Sequence, residues 1–467
     1  MDFSIALGTL CLMIEMAQLD QLRYFSRTCS ANALTSAYRA GICSPKEVRQ
    51  AILPDFNTSA GVFASTCYDL ADKAWVQSDL RHRLKRDLGP LDGIPVVIKD
   101  NFHIEGYTTS SGSLAIDSKR QPSSSGFCKK LLEHGLIPMA KSTMSELAFS
   151  GVGINTVFGT PETVSAGKRH IPGGSSSGSA AAVSSGLVPI AIGTDTSGSV
   201  RIPAAVQGIV GFRPSFGVHD ISDIQPLSRT LDTVGFFSRD VNDSVTIHTL
   251  LSSVEREFCE QLKPSAIELI VPDHDVSNAL DPKIKSKFSA LVSGLSKIGF
   301  RIKVECVPEF DAVSELFSKY GTLVSHEAYE NYGHLLEQSH DNLQPFTRRR
   351  LSKASLLKAS TKDILLSSRR ELIESLSELP RHQFFIFPTI PVEPVELTRV
   401  LKDMDFHESY NRQILANTML GSYLDMPGIS IPIKKNNGAQ PFGLLLSSAQ
   451  NRDLPLLKVA KLIESFV

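Results

Sequence analysis

The sequence predicts an α/β protein built as one large domain. Helix and strand signals alternate through the first half of the 467-residue chain, which is the pattern of an α/β sheet protein. Apolar residues make up 42% of the sequence and charged residues 21%, as in ordinary globular proteins. No internal repeat, low-complexity tract or long Pro/Gly linker divides the chain. We therefore expect one domain over residues 26–467, preceded by an N-terminal extension over residues 1–25.

The first clear element signals lead to Lys99. Ser44 to Glu47 (SPKE) is a capping box with Pro45 at the first helical position, and it predicts a helix that runs to Leu53. Ile94 to Ile98 is a short β-branched run. It predicts a buried strand with Lys99 at its carboxyl end.

Similar signals continue along the chain. A helical pattern over residues 123–134 precedes an apolar strand over residues 136–140, and another helix is expected to begin near Ser142, with Glu146 in its first turns. The second half is dominated by helix-like segments. Its strand signals lie at residues 266–271, 301–307, 384–387, 429–433 and 442–446.

A Gly/Ser-dense block, Gly173 to Ala205, carries the strongest functional signal. It contains a helix pattern (180–185), a strand pattern (188–193) and a tight connection into a second helix, so a flexible linker is a poor interpretation. Ser199 lies in that connection, GTDTSGS, where its hydroxyl would project from a sharp corner. Backbone amides there could hold a developing oxyanion, and each such donor typically contributes about 3 to 4 kcal/mol. These amides belong to Thr196, Ser197, Gly198 and Ser199.

A serine nucleophile needs a group that accepts its proton. No histidine lies inside the block, and a neutral lysine can serve instead. An unperturbed lysine has a pKa of about 10.4, so its deprotonation at pH 7 costs roughly 4.6 kcal/mol unless burial or a neighbouring positive charge lowers the pKa. Lys99, at the end of an apolar strand, is well placed for such burial. A hydroxyl of Ser175, Ser176 or Ser177 would bridge Lys99 and Ser199.

Two other interpretations of the block are weaker. Gly174 to Gly178 also satisfies G-x-S-x-G, which would make Ser176 the nucleophile, but a run of serines meets this short pattern easily. A phosphate-binding loop is disfavoured because neither G-x-x-x-x-G-K-[ST] nor G-x-G-x-x-G is present.

The balance of charge gives no sign of a nucleic-acid or anionic-membrane partner. The formal net charge is −1. One helix-like stretch is locally basic, and a solvated helix face is favoured there over a tRNA-binding patch. This stretch contains Arg348, Arg349, Arg350, Lys353, Lys358 and Lys362.

Cysteines and the N terminus favour a cytosolic protein. The seven cysteines form no C-x-x-C pair and no His/Cys metal spacing, which favours reduced thiols over disulfides or a zinc site. The apolar run Ile5 to Ile14 is too short to span a bilayer and has no basic residue before it. We expect an extra helix there rather than an anchor or targeting segment.

Several segments resemble the amidase signature family. GIPVVIKDN, the block from PGGSSSGS to GFRPS, LDTVGFFSRDV and LDMPGISIP are similar to family landmarks, and the similarity extends from about residue 40 to the C terminus. The resemblance implies a large, mixed, twisted β-sheet covered by helices on both faces. It also implies that Ser199 is the acyl-forming nucleophile, Ser175 the bridging serine on a cis peptide, and Lys99 the base. The amides from Thr196 to Ser199 would form the oxyanion hole.

The block departs from the family pattern at Ser197, where a glycine is usual, and GTPETV replaces the usual GTP-x-NP. Ser197 would either narrow the oxyanion turn or add a hydroxyl that points outward. Asp195 and Arg201 flank the nucleophile closely enough to pair behind it, although each could find other partners. We expect an active enzyme because Lys99, Ser175 and Ser199 are all present.

The resemblance implies hydrolysis of a carboxamide bond through an acyl-serine intermediate, without a metal or organic cofactor. The segment Asn417 to Pro432 is more similar to free-standing amidases, including indoleacetamide hydrolases, which favours a small aryl or aliphatic primary amide as substrate. Two alternatives stay open: the A component of a glutamyl-tRNA amidotransferase, and a non-catalytic interaction protein on an amidase scaffold. We expect a cytoplasmic protein with a small-molecule amide as its partner and neither nucleic acid nor membrane, and a homodimer stays open.

Overall fold

A mixed β-sheet of eleven strands forms the centre of the part of the chain that the structure describes. The computed structural model describes residues 19–165, 167–252, 262–433 and 442–467. Its strands are β1 (Phe63–Thr66), β2 (Pro95–Lys99), β3 (Ile137–Ser142), β4 (Thr163–Ser165), β5 (Lys168–His170), β6 (Ile190–Asp195), β7 (Val210–Arg213), β8 (Thr233–Ser238), β9 (Glu268–Pro272), β10 (Arg301–Glu305), β11 (Gln383–Pro388), β12 (Gly428–Ile433) and β13 (Phe442–Ser447). The order in the large sheet is β1-β3-β2-β6-β8-β7-β12-β13-β11-β9-β10, and β4 pairs with β5 separately.

Three neighbouring strands near the candidate site run parallel. β2 lies between β3 and β6, with Ile98 of β2 opposite Ile192 of β6. On its other side β6 pairs antiparallel with β8. Because parallel strands end at the same edge of a sheet, Lys99 at the end of β2 and Asp195 at the end of β6 lie close together.

Helices pack against both faces of the sheet, which confirms the predicted fold class. They are α1 (residues 19–28), α2 (Ala31–Arg39), α3 (Pro45–Thr58), α4 (Tyr68–Arg83), α5 (Gly126–Glu133), α6 (Ser177–Ser184), α7 (Arg201–Gln207), α8 (Val241–Leu251), α9 (Asp275–Asn278), α10 (Pro282–Ile298), α11 (Pro308–Tyr320), α12 (Leu323–Tyr332), α13 (Leu335–Gln338), α14 (Pro345–Ala354), α15 (Ser360–Ser377), α16 (Leu397–Lys402), α17 (Met404–Tyr423) and α18 (Asp453–Glu464).

Helix α3 begins as its capping box predicts. Ser44 Oγ accepts a hydrogen bond from the Glu47 amide at 3.3 Å, and a Glu47 carboxylate oxygen accepts one from the Ser44 amide at 2.8 Å. The helix continues beyond Leu53 and through Pro54 to Thr58. Ile52 and Phe56, four residues apart on one buried face, stabilise this continuation past the amide that proline lacks.

Every strand that the sequence predicts is present, with ends that differ by at most two residues. β1, β4, β5, β7 and β8 were not predicted. β7 and β8 each contain a glycine, Gly211 and Gly235, and are stabilised mainly by their neighbours in the sheet. Such short strands carry a weak local signal.

The helix predicted near Ser142 is wrong. β3 runs through Ser142, and only a 3₁₀ turn, Glu146–Ala148, follows. Leu147 and Ala148 have positive φ angles of 51° and 57°, which an α-helix excludes. The Leu147 amide donates to the Ser111 carbonyl at 2.8 Å and the buried Glu146 carboxylate accepts the Gln344 amide at 2.9 Å, so long-range contacts override the local pattern.

The N-terminal region is described from residue 19. The apolar run Ile5 to Ile14 lies outside the described residues, whereas residues 19–28 are helical and so cross the expected boundary at residue 25. Arg23 Nε donates to Asp55 of α3 at 2.8 Å, which fastens this helix to the domain. Among the described helices, none has the length and apolar character needed to span a bilayer.

Candidate active site

Lys99 is fully buried at the carboxyl end of β2. Its Nζ lies 2.7 Å from Ser175 Oγ, 2.8 Å from Thr194 Oγ1 and 3.4 Å from the Thr194 carbonyl oxygen. Burial lowers the pKa of Lys99 to about 7, although the negative charges of Asp232 and Asp195 oppose this shift. The amine is therefore available in its neutral form near neutral pH.

A second buried lysine provides a contrast within the same sheet. Lys141 lies on β3, next to β2, and its Nζ is 2.7 Å from Asp100 Oδ1 in a buried ion pair. Lys99 has no ion-pair partner among the described residues. A buried lysine without a carboxylate partner favours the neutral state, which is the state that a general base requires.

Ser175 lies directly before α6 in the glycine-rich turn, and the Gly174–Ser175 peptide bond is cis. Its carbonyl accepts the Ser145 amide at 3.0 Å, and its hydroxyl contacts Lys99. A Cβ at Gly174 would lie 2.6 Å from the Gly153 backbone, so only glycine fits this close approach. The turn thereby holds a serine hydroxyl against the lysine.

The other two serines of the turn are used differently. Ser176 Oγ donates to the Thr194 carbonyl at 3.2 Å and is fully buried, so its hydroxyl is engaged in fastening α6 to β6. Ser177 Oγ is buried without a hydrogen-bond partner among the described residues. Neither serine lines the cavity described below, which weakens the interpretation of Ser176 as nucleophile.

Ser199 lies in the connection between β6 and α7. Its carbonyl accepts the Ser176 amide at 3.2 Å, so this connection and the Ser175 turn are in direct backbone contact. The side chain of Ser199 lines a cavity of about 490 Å³, and Ser197 lines the same cavity. The position is consistent with a hydroxyl that meets a bound substrate.

Asp195 organises the connection from behind. Its carboxylate accepts the amides of Gly198 at 2.7 Å and Val200 at 3.1 Å. Arg201 adds a two-pronged ion pair, from Nε at 3.1 Å and from Nη2 at 2.9 Å, and both side chains are fully buried. Burial alone would raise the pKa of Asp195, but the charges of Arg201 and Arg213 and these hydrogen bonds lower it to about 2. The carboxylate is therefore ionised, and the sequence-based pairing of Asp195 with Arg201 is present.

The hydrogen bond from the Gly198 amide to Asp195 changes the predicted set of oxyanion donors. An amide that already donates to a buried carboxylate at 2.7 Å is not free to hold a substrate oxygen. The set therefore narrows to the amides of Thr196, Ser197 and Ser199. Glycine is required at position 198 because φ is 128° and a Cβ would lie 2.1 Å from Thr418 Oγ1, rather than because of crowding with a substrate carbonyl.

Asp232 was not identified as a site residue from the sequence, although it lies in the segment LDTVGFF. It accepts a hydrogen bond from the Thr196 hydroxyl and the amides of Leu227 at 2.8 Å and Ser228 at 3.1 Å. Burial raises the pKa of Asp232 to about 6 despite these hydrogen bonds. Asp232 thus supports Thr196 and adds a negative charge that acts on Lys99.

The cavity lies between this connection and several surrounding segments. One wall is the strip Ala148 to Gly151, whose last residue accepts the Gly174 amide at 2.8 Å. α17 closes another side, and its Asn411 Oδ1 accepts the Gly151 amide at 2.9 Å. Much of the remaining lining is apolar, from Leu227, Phe317, Val324, Leu357, Leu415 and Met419.

Among the described residues, no cluster of three or more His, Cys, Asp or Glu side chains has a geometry that could hold a metal ion. The cysteines in these residues are free thiols, of which Cys43, Cys67 and Cys128 are buried.

The chain is similar over most of its length to known proteins. A protein-family model described as Amidase matches residues 50–457. Indoleacetamide hydrolase of Pseudomonas savastanoi is 30% identical over 453 residues, which are 92% of this chain and 95% of that protein. The A component of the glutamyl-tRNA(Gln) amidotransferase of Symbiobacterium thermophilum is 29% identical over 319 residues, 65% of this chain and 64% of that one. A crystal structure of an amidase has the same fold, with a TM-score of 0.82 and 24% identity over 94% of this chain and 99% of that chain.

Proposed function

The chain belongs to the amidase family of amide-bond hydrolases, and from this premise we propose that it hydrolyses small aryl or aliphatic primary amides to an acid and ammonia through an acyl-serine intermediate. The observation that carries the proposal is the buried, unpaired Lys99, whose pKa is about 7 and whose Nζ lies 2.7 Å from Ser175 Oγ. A lysine in this state is a base that can accept a proton at neutral pH.

In the proposed reaction Ser199 Oγ attacks the amide carbon and gives its proton to Ser175, while Ser175 gives its own proton to Lys99. Two N–H groups of the neutral amine can donate to the hydroxyl and carbonyl oxygens of Thr194, which leaves the nitrogen lone pair facing Ser175. Protonated Lys99 then returns the proton through Ser175 to the departing nitrogen, and ammonia leaves. Water attacks the acyl ester, the same relay takes its proton, and the acid is released with Ser199 restored.

The negative oxygen of each tetrahedral intermediate would be held by the amides of Thr196, Ser197 and Ser199. Asp195 and Arg201 support this role because they fix the backbone of the connection before substrate arrives. Donors that are fixed in advance cost little reorganisation during the reaction.

The choice of a primary amide is supported by the similarity to an indoleacetamide hydrolase and by the largely apolar cavity beside Ser199. Buried free thiols at Cys43, Cys67 and Cys128 support a reducing compartment, and we place the reaction in the cytoplasm.

Ammonia release from a panel of aryl and aliphatic primary amides tests the proposal. Ser199→Ala should abolish turnover of every substrate in the panel. Ser177→Ala is the matched control because it removes an unpaired hydroxyl from the same block, and it should retain activity. Substantial hydrolysis by Ser199→Ala would overturn the assignment, and loss of activity in Ser176→Ala alone would favour the alternative nucleophile.

The similarity to an amidotransferase component defines the competing outcome. A component of that kind should co-purify with partner proteins and convert misacylated tRNA rather than release free ammonia alone. A non-catalytic scaffold would fail to react with a fluorophosphonate probe, whereas the proposed enzyme should be labelled at Ser199.

A further inference from the structure

Two helices place charged side chains in the cavity that also contains Ser199. From α14 and the turn after it, Arg350, Lys353, Ala354 and Leu357 line the cavity, and from α17 Glu408, Asn411, Arg412, Leu415 and Met419 do so. Both sets follow a spacing of three and four residues, so each lies on one face of its helix. The basic stretch that the sequence suggested to be a solvated helix face therefore contributes two residues to the cavity.

The charged and apolar residues occupy different ends of this wall. Ser197 and Ser199 lie beside the carboxyl-terminal half of α17, because Thr418 Oγ1 donates to the Ser197 carbonyl at 2.6 Å. Arg412 precedes Thr418 by six residues, a distance of about 9 Å along a helix axis that rises about 1.5 Å per residue. Leu415 and Met419 fill the part of the wall nearest the serine, so an apolar stretch separates the nucleophile from the cation.

The cations at the far end exceed the carboxylates. Arg350 is held by Glu408, with Nε 3.0 Å from Oε1, and it also donates to the Phe149 carbonyl. Lys353 Nζ is 3.7 Å from the same carboxylate, and Arg412 forms no ion pair with any described residue. One carboxylate thus faces three cations, and Arg350 takes most of its hydrogen-bonding capacity. Lys353 and Arg412 remain available to an anion that enters the cavity.

Neighbouring basic residues on α14 and α15 do not share this property. Arg349 pairs with Asp405 outside the cavity, and Lys362 pairs with Glu330 at 2.6 Å. The uncompensated positive charge is therefore confined to the cavity end of the stretch.

From this arrangement we propose that the substrate carries an anionic group, a carboxylate, separated from the scissile carboxamide by an apolar spacer. Lys353 and Arg412 bind the carboxylate, Leu415 and Met419 contact the spacer, and Ser199 meets the amide. The proposal rests on the amidase function above and names the substrate class for that site: monoamides of dicarboxylic acids with a span of roughly 9 Å between the two ends.

The test compares a series of ω-carboxy primary amides of increasing chain length with their neutral methyl esters. We expect kcat/KM for the acid to exceed that for the ester at least about fivefold at the chain length that spans the wall, with a smaller preference for shorter chains and at higher salt. The double variant Lys353→Gln, Arg412→Gln should bring the ratio of acid to ester close to one. Arg349→Gln, on the same helix but outside the cavity, is the matched control and should leave the ratio unchanged.

Direct binding separates this inference from the proposed function. Ser199→Ala protein should bind the amide acid more tightly than its methyl ester in calorimetry, whether or not the native enzyme turns the amide over. Hydrolysis of acids and esters with equal kcat/KM, or equal affinity of both for Ser199→Ala, would overturn the carboxylate assignment while leaving amide hydrolysis intact. Failure of every amide to be hydrolysed would instead refute the proposed function, and the binding comparison would still decide this inference.

Discussion

The pH dependence of hydrolysis follows directly from the state of Lys99. Only the neutral amine accepts a proton from Ser175, and its pKa is about 7. About a tenth of the molecules hold neutral Lys99 at pH 6 and about nine tenths at pH 8, because each pH unit changes the ratio of the two forms tenfold. We therefore expect kcat/KM for a neutral amide to rise about ninefold between pH 6 and pH 8 and then to level off.

The carboxylates near Lys99 predict how this midpoint moves. Asp195, with a pKa of about 2, keeps a constant charge across the range, whereas Asp232, with a pKa of about 6, titrates within it. The negative charge of Asp232 raises the pKa of Lys99, so Asp232→Asn should shift the midpoint of the profile to lower pH.

The assay is the initial rate of ammonia release at substrate concentrations well below KM, with circular dichroism at each pH to verify that the protein stays folded. Lys99→Met should remove the step between pH 6 and pH 8 and lower the rate by several orders of magnitude. A flat profile in the native enzyme, a midpoint near the usual lysine pKa of about 10.4, or an upward shift in Asp232→Asn would refute the reasoning.

Two substitutions test the connection that carries Ser199. Asp195→Asn should lower the free energy of unfolding by about 3 to 5 kcal/mol and abolish activity, because it leaves buried Arg201 without its counter-charge; Asp87→Asn, whose partner Arg39 is partly exposed, should cost at most about 1 kcal/mol in the same denaturant titration, and equal losses would contradict the argument. Gly198→Ala should also inactivate the enzyme, since its Cβ would lie 2.1 Å from Thr418 Oγ1, whereas Gly217→Ala has a similarly positive φ but no atom within 4 Å of its Cβ and should stay active in the ammonia assay.

The sequence predicted the parts of the site that depend on local signals. The β-branched run before Lys99 and the strand before Asp195 are short, apolar and bounded by turn residues, so both strands were identifiable and their ends could be located. Because the two strands are parallel neighbours, Lys99 and the connection carrying Ser199 meet at one edge of the sheet. The choice of Ser175 among three serines came from the family resemblance, and the geometry shows its hydroxyl against Lys99.

The features that sequence reasoning missed arise from contacts between distant segments. Lys141 and Lys99 both follow apolar runs, and only the position of Asp100 distinguishes the paired lysine from the unpaired one. Asp232 acts on Thr196 from 36 residues away in sequence. The helix predicted near Ser142 failed because contacts to Ser111 and Gln344 impose positive φ angles that no local pattern encodes.

These long-range contacts explain why Lys99 can remain neutral with two carboxylates nearby. Asp195 is occupied by Arg201 and by backbone amides of the connection, and Asp232 is occupied by the Thr196 hydroxyl and two amides. Neither carboxylate forms an ion pair with Lys99, whereas Asp100 does so with Lys141 at 2.7 Å. A carboxylate that paired directly with Lys99 would stabilise the ammonium and raise its pKa, which would remove the base at neutral pH. The hydrogen bonds that hold the connection rigid therefore also keep Lys99 in a state that can accept a proton, so the same contacts serve both the oxyanion donors and the proton relay.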